Sequence, residues 1–294
     1  MRIKILTLLA LSLISFSCSD EDDNQVVVVE EPQLIIKFKF DPMQVRLNNI
    51  GQPSTVAAGN AAQSPIFNGI SAHYLEFTPN ALTQVGQGAI LYSGPSTTLG
   101  GANAIDFSQA KIVGEGEAFL SIPLKNLPAG SYEYVRVSLS YQNYNINVRA
   151  SGSDYVGTLA CFVGYNNYIT THSVAGNPFV VNDDKLQGYW AFAIPSVGYS
   201  TSGQTPAGAT TVPNPIAATS PIPSGSCLVT GKFANNFVVT GNETKNVEVQ
   251  LSLSINNSFE WQEVNADGKF EPSVGENVVD MGLRGLIPSF TILN

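Results

Sequence analysis

Three runs along the chain alternate apolar and polar residues with a period of two. Ile36, Phe38 and Phe40 alternate with Lys37 and Lys39. Val135, Val137, Leu139 and Tyr141 alternate with Arg136, Ser138, Ser140 and Gln142, and Val247, Val249, Leu251, Leu253 and Ile255 with Glu248, Gln250, Ser252 and Ser254. A strand points successive side chains to opposite faces, so each run predicts an antiparallel strand with an apolar face inward and a polar face in water. Shorter strands are predicted at Ile70–Phe77, Ala118–Leu124, Tyr155–Tyr165, Tyr189–Ile194, Cys227–Phe233 and Leu286–Leu293. Leu127-Pro128-Ala129-Gly130 reads as the turn before the central run. No stretch keeps a helical period, and one helical turn is expected over Asp106–Lys111 with Asp106 near its N-cap. The expected fold class is all-β: an antiparallel two-sheet sandwich with long irregular loops and little helix.

The pattern breaks in three places. Arg2 and Lys4 precede an apolar run from Ile5 to Phe16. That run is too short to span a bilayer and has the length of a signal-peptide core. Two uncharged stretches, Asn48–Pro65 and Pro195–Ser226, read as loops, and the second is a Pro-rich insertion. The organisation expected is a signal peptide over 1–17, a tether over 18–31 and one sandwich domain over 32–294.

Composition changes the picture through charge. Only 13% of the 294 residues are charged and the net charge is −9. Globular proteins carry roughly twice that share of charge, and clustered cations for phosphate are lacking, so nucleic acid is not an expected partner. Six acidic residues lie between Asp20 and Glu31, leaving a body of net charge −5 from Pro32 onward. No charge falls between Leu186 and Gly231. The acidity belongs largely to the tether and says little about a ligand.

Candidate chemistry is sparse. Cys161 and Cys227 form an even pair in an exported context, which predicts a disulfide. Glu263, Asn265 and Asp267 place oxygens at positions 1, 3 and 5 of a calcium loop, with Gly268 at 6 and the Lys269 carbonyl at 7. The bidentate Glu of position 12 is replaced by Val274, with Glu276 two residues later and Asp280 as a further oxygen. Structural calcium and a plain Asp-Gly turn are both open readings of this segment. The two histidines, His73 and His172, are too few for a nitrogen-rich metal site unless they meet in space with Met or Trp nearby. There is no G-x-S-x-G elbow, phosphate loop or dinucleotide fingerprint. Eleven tyrosines and two tryptophans keep a glycan platform open, although most of the tyrosines follow strand patterning.

Two resemblances add to this reading. Ser15-Phe16-Ser17-Cys18 resembles a bacterial lipobox in the relaxed form common in Bacteroidota-type lipoproteins, and Ser19-Asp20-Glu21-Asp22-Asp23 is similar to their acidic surface-export signal. These imply lipidation at Cys18, an outer-membrane address facing the surface and a membrane partner through the acyl chains. In the body, Phe38–Phe40, Ser71-Ala72-His73-Tyr74-Leu75, Leu127-Pro128-Ala129-Gly130-Ser131-Tyr132, Gly188-Tyr189-Trp190 and Val247–Ile255 with Phe259 together resemble the MbnP-type domain. That resemblance implies an exported β-sandwich and, for some members, copper held by histidines and a modified tryptophan; His73 and Trp190 lie in the matching motifs, and there is no His-x-His pair. The leading expectation is a non-enzymatic, lipid-anchored envelope protein that binds or displays, ligand unknown. Metal handling (copper or structural calcium) and glycan binding or turnover are the alternatives.

Overall fold

The computed structural model describes residues 31–47, 52–205 and 227–294. The signal peptide, Cys18, most of the tether and 206–226 of the Pro-rich insertion lie outside the described residues. Glu31–Asn294 form one compact unit. The described residues fold as all-β, with four sheets among them. Strands are numbered in chain order.

The largest sheet has seven strands. Its path runs β13 (Tyr199–Gln204), β12 (Tyr189–Ile194), β9 (Ser153–Phe162), β8 (Gly130–Ala150), β3 (Ile66–Thr78) and β4 (Ala89–Ser93), with β14 (Cys227–Val239) also paired to β8. Strands β9 and β14 share one edge of β8, β14 on residues 130–139 and β9 on residues 141–150. A four-stranded sheet faces it: β18 (Arg284–Ile292), β15 (Val247–Ser254), β1 (Gln33–Asp41) and β7 (Ala118–Pro123). A three-stranded sheet of β2 (Asn60–Gln63), β16 (Phe259–Gln262) and β17 (Val278–Met281) joins this side. The main core lies between them. Strand β1 contributes Leu34, Ile36, Phe38 and Phe40, β15 contributes Val249, Leu251 and Leu253, and β8 contributes Val135, Val137 and Leu139. Fully burying one such side chain stabilises the fold by about 1.5–3 kcal/mol.

A fourth sheet covers part of the other face. It comprises β5 (Ser96–Thr97), β6 (Ala104–Asp106), β10 (Asn166–Val174) and β11 (Asn177–Leu186). Ile169 and Val174 pack there on Tyr141, Phe162, Tyr189 and Ala191 of the large sheet. The sandwich therefore carries a third layer over one region.

The three alternating runs form β1, β8 and β15, and the six shorter predictions all fall on strands, but β1 and β15 pair with each other in parallel rather than antiparallel. Asp106 caps a short 3-10 turn at Phe107–Gln109 by accepting from the Ser108 amide. The Pro128-Ala129-Gly130 turn is clamped by Tyr132, whose hydroxyl donates to the Pro128 carbonyl at 2.6 Å, as in the tyrosine corner of other sandwiches. Two loop expectations need correction. Within 48–65, Asn60–Gln63 is a strand because β16 offers it a partner edge. Within 195–226, Tyr199–Gln204 forms a hairpin with β12, where the small Gly203 lies beneath the Trp190 indole.

The polar face of the central run also needs correction. Arg136, Ser138 and Ser140 do point away from the main core, yet they are 6%, 0% and 1% exposed. The loop after β3 reaches Arg136 and its partner Glu76 through the Ala81 carbonyl and the Gly86 amide, and Val163 and Gly164 bond to the Ser140 carbonyl. Gln142 turns the other way, because the register skips Ser140 opposite Ser71 and Ala72. This bulge reverses the alternation, sending Gln142 toward Met281 and Tyr141 into the outer layer.

Candidate functional site

An open cleft of about 250 Å³ lies where β3 stops pairing with β8. It is lined by Gln63, Asn147, Val148, Arg149, Asp154 and the 268–270 loop. Beyond Asn145, no strand among the described residues pairs with β8 on this edge, and two surrogates complete it. The Gln63 amide accepts from the Asn147 N–H at 2.8 Å and donates to the Asn147 carbonyl at 2.9 Å. The Phe270 carbonyl accepts from the Arg149 N–H at 2.8 Å. The β8–β9 hairpin turns through Ser151 and Gly152, both at positive φ, as the right-handed twist of a two-residue hairpin requires. That turn sets Asp154 opposite Arg149.

The charges form a ring. Arg149 donates to Asp154 at 2.8 Å and to Asp267 at 3.1 Å, and Lys269 donates to Asp154 at 2.7 Å. The Arg149 and Lys269 hydrogen bonds hold the Asp154 carboxyl below its ordinary range. Asp154 is thus ionised at neutral pH and has no proton to deliver as a general acid.

The calcium-loop candidates flank the 268–270 loop, and most of their carboxylate oxygens are engaged elsewhere, Glu263 Oε2 being buried without a partner among the described residues. Glu276 is 3% exposed and accepts from the Val264 and Glu271 amides. Glu263 accepts from the Asp267 amide, and the other Asp267 oxygen accepts from the Lys269 amide at 3.0 Å. Asn265 donates to Glu271. Asp280 pairs with Arg284 and, at 3.8 Å, with Arg46. Among the described residues no group of three His, Cys, Asp or Glu side chains is placed to hold a metal ion.

A second site is covered. The outer face of β3 and β8 carries Ser71, His73, Tyr74, Glu76, Arg136, Ser138 and Ser140 side by side, all buried. Glu76, 0% exposed, accepts from the Tyr74 hydroxyl at 2.7 Å, the Gly86 amide at 2.8 Å and Arg136 at 2.9 Å. Arg136 also donates to the Ala81 carbonyl. Both oxygens of Glu76 are thus partnered. Burial, aided by Glu76, raises the Tyr74 hydroxyl far above its usual value, so it stays a donor. His73 is the extra residue where β3 slips against β8, and its carbonyl accepts from Gly94 at 2.7 Å. Burial lowers its imidazole to about 4, with the Leu139 carbonyl pulling weakly upward.

The structure separates the copper candidates. His172 sits among Phe107, Phe162, Phe179 and Tyr189, stacked on Phe179 at 5.1 Å, and burial lowers it to about 4. His73 instead meets Tyr165 at 5.6 Å. Trp190 packs against the main core, through the opposite face of the large sheet from both histidines. The three do not fit one metal centre.

The expected disulfide is not formed: Cys161 and Cys227 are free. Their cross-strand partners on β8 are Gln142 and Leu139, three residues apart on one edge. At about 3.3 Å per residue this separates the two by roughly 10 Å, beyond the ~7 Å Cα limit of a disulfide. Cys161 instead lies 3.5 Å from the Tyr144 hydroxyl and 3.7 Å from the Met281 sulfur.

Sequence reading did not find Gln63, Asn147, Arg149 or Asp154, nor the Glu76–Arg136 pair. Ser151-Gly152 between two strand-like segments was a usable hairpin signal for the cleft. The burial of Glu76 and Arg136 depends on loops and had no local signal. Set beside protein-family models, curated proteins and solved structures, the chain matches none of them.

Proposed function

We propose that this chain is a lipid-anchored envelope protein, held at the outer membrane through Cys18, whose sandwich body binds or displays rather than catalyses. The ligand seat in this reading is the cleft at Arg149, Asp154 and Lys269. The observation that carries it is the ion-pair ring: both carboxylates at the rim are held by cations and backbone amides, in an arrangement suited to fixed recognition rather than proton transfer. The lipobox-like Cys18 and the acidic tether support the address.

Two experiments test the two halves. Palmitate labelling of cells expressing the chain is expected to mark the wild type and not Cys18→Ala, which leaves the membrane fraction; equal labelling of both removes the anchor. For the seat, the full chain and an Arg149→Ala/Lys269→Ala variant are compared on a glycan array, beside metal analysis of the wild type. Glycan binding lost in the variant supports the seat. Stoichiometric calcium or copper moves the reading to metal handling, and turnover of an arrayed glycan moves it to an enzyme.

A further inference from the structure

We propose that the covered strip on the outer face of β3 and β8 is a hydration site, in which Ser71, His73, Ser138 and Ser140 together hold a small cluster of ordered water. The hydroxyls of the three serines and the His73 ring nitrogen turned away from the Leu139 carbonyl have no hydrogen-bond partner among the described residues, although none of these side chains is more than 8% exposed. Leaving a buried polar group without a partner is costly, and native proteins rarely leave several adjacent ones unmatched. The register makes these adjacent. Ser138 and Ser140 lie two apart on β8, Ser71 is opposite Tyr141, and Tyr74, the residue after His73, is opposite Ser138. Neighbours in the main core fix the direction of two of them: Ile70, Ala72, Val137 and Leu139 point inward, so Ser71 and Ser138 between them point outward. The site extends to Asn167, whose side-chain oxygen is also unmatched and whose amide reaches the carbonyl of Gly164, itself bonded through its N–H to the Ser140 carbonyl.

The chemistry of the strip selects the occupant. An anion would need an unpaired cation, but Arg136 is already engaged by Glu76 and the Ala81 carbonyl. A transition metal would find one imidazole, with no thiolate or free carboxylate beside it. Hydroxyls and a neutral imidazole each need a partner that both donates and accepts, and water is the smallest molecule that does both. The three serine hydroxyls, one His73 ring nitrogen and the Asn167 oxygen make five unmatched atoms, which at about three hydrogen bonds per buried water correspond to roughly two molecules.

The test is performed on the full chain. Water-oxygen relaxation dispersion counts long-lived internal waters, and cross-relaxation from the His73 ring protons shows whether one is in contact. The expected results are a water contact at His73, about two fewer long-lived waters in Ser138→Ala/Ser140→Ala, and a melting temperature lowered by about 2–4 °C. In a dry strip the same variant loses two unmatched hydroxyls, so its melting temperature rises and its water count is unchanged; either result overturns the proposal. Stoichiometric Zn²⁺ binding that shifts the His73 ring overturns it in favour of a metal site. Should the variant fail to fold, the His73–water contact in the wild type decides, and its absence overturns the proposal.

Discussion

The two faces of the large sheet are built from the same strands and held by different physics. The inner face of β3 and β8 offers Leu75, Phe77, Val135, Val137 and Leu139 to the main core. The outer face, one residue out of phase, carries Tyr74, Glu76, Arg136, Ser138 and Ser140, as deeply buried. Burial is favourable on the inner face wherever shape matches, because the hydrophobic effect is non-directional. On the outer face it is tolerable only where each polar atom meets a partner, so the covering loops matter for the atoms they supply. Gly86 and Ala81 each bring one backbone group to the Glu76–Arg136 pair. Equal burial therefore does not mean equal energetic character.

The comparison can be broken first from the inside. Phe77 is 0% exposed and touches the rings of Tyr132, Phe233 and Phe237 at 5.3–5.8 Å. Phe77→Ala is expected to cost about 3–5 kcal/mol, read as a lower denaturant midpoint. On the outer face, Arg136→Met leaves Glu76 buried without its cation and is expected to cost about 3 kcal/mol. The distinguishing result is the double variant Glu76→Leu/Arg136→Met, which recovers most of that loss because an apolar pair needs no partner. A double variant as unstable as the sum of its parts would show that the outer face is not held by pairing.

The two histidines sharpen the contrast through pH. Burial holds both near 4 when folded, against about 6.5 unfolded. Between those values the unfolded chain binds more protons, so stability falls as pH falls from 6.5 toward 4, then levels for these groups. Each contributes up to about 3 kcal/mol, less for His172 if solvent reaches its aromatic cage. His172→Phe is expected to flatten roughly half of the slope in a plot of denaturation free energy against pH. An unchanged slope in that variant would place the titration elsewhere.

How much of this was legible in the sequence follows from range. The alternation of β1, β8 and β15 is local and was readable, as was the Pro128-Ala129-Gly130 turn before Tyr132. The inward side of β8 was right through Leu139 and failed at Tyr141, because a bulge at Ser140 is set by pairing with β3, over sixty residues away. Strands β10 and β11 escaped notice because the alternating exposure of Pro178, Val180 and Asn182 mixes apolar and polar residues on the wet face. The cleft depends on Gln63 and Phe270 arriving from distant segments to complete the edge of β8, and no periodicity encodes that. The Asp267–Gly268 turn was visible, but its engagement with Arg149 was not.

The smallest expected effect concerns the inner face alone. Cys161 and Cys227 both turn toward the main core as free thiols, and burial pushes them to about 12 and about 11. Thiolate is the reactive form, so both are expected to resist a thiol reagent in the native protein and to react on unfolding. A reductant is then expected to leave the melting temperature unchanged. A disulfide closing so long a loop would contribute on the order of 4 kcal/mol, and its reduction would lower the melting temperature by about 8–16 °C. The two cases are far apart, so one melting curve with and without reductant decides between them. The inner face holds its sulfur as it holds its phenylalanines, by exclusion of water, with Cys161 packed on Tyr144 and Met281 rather than joined across the end of β9 to β14.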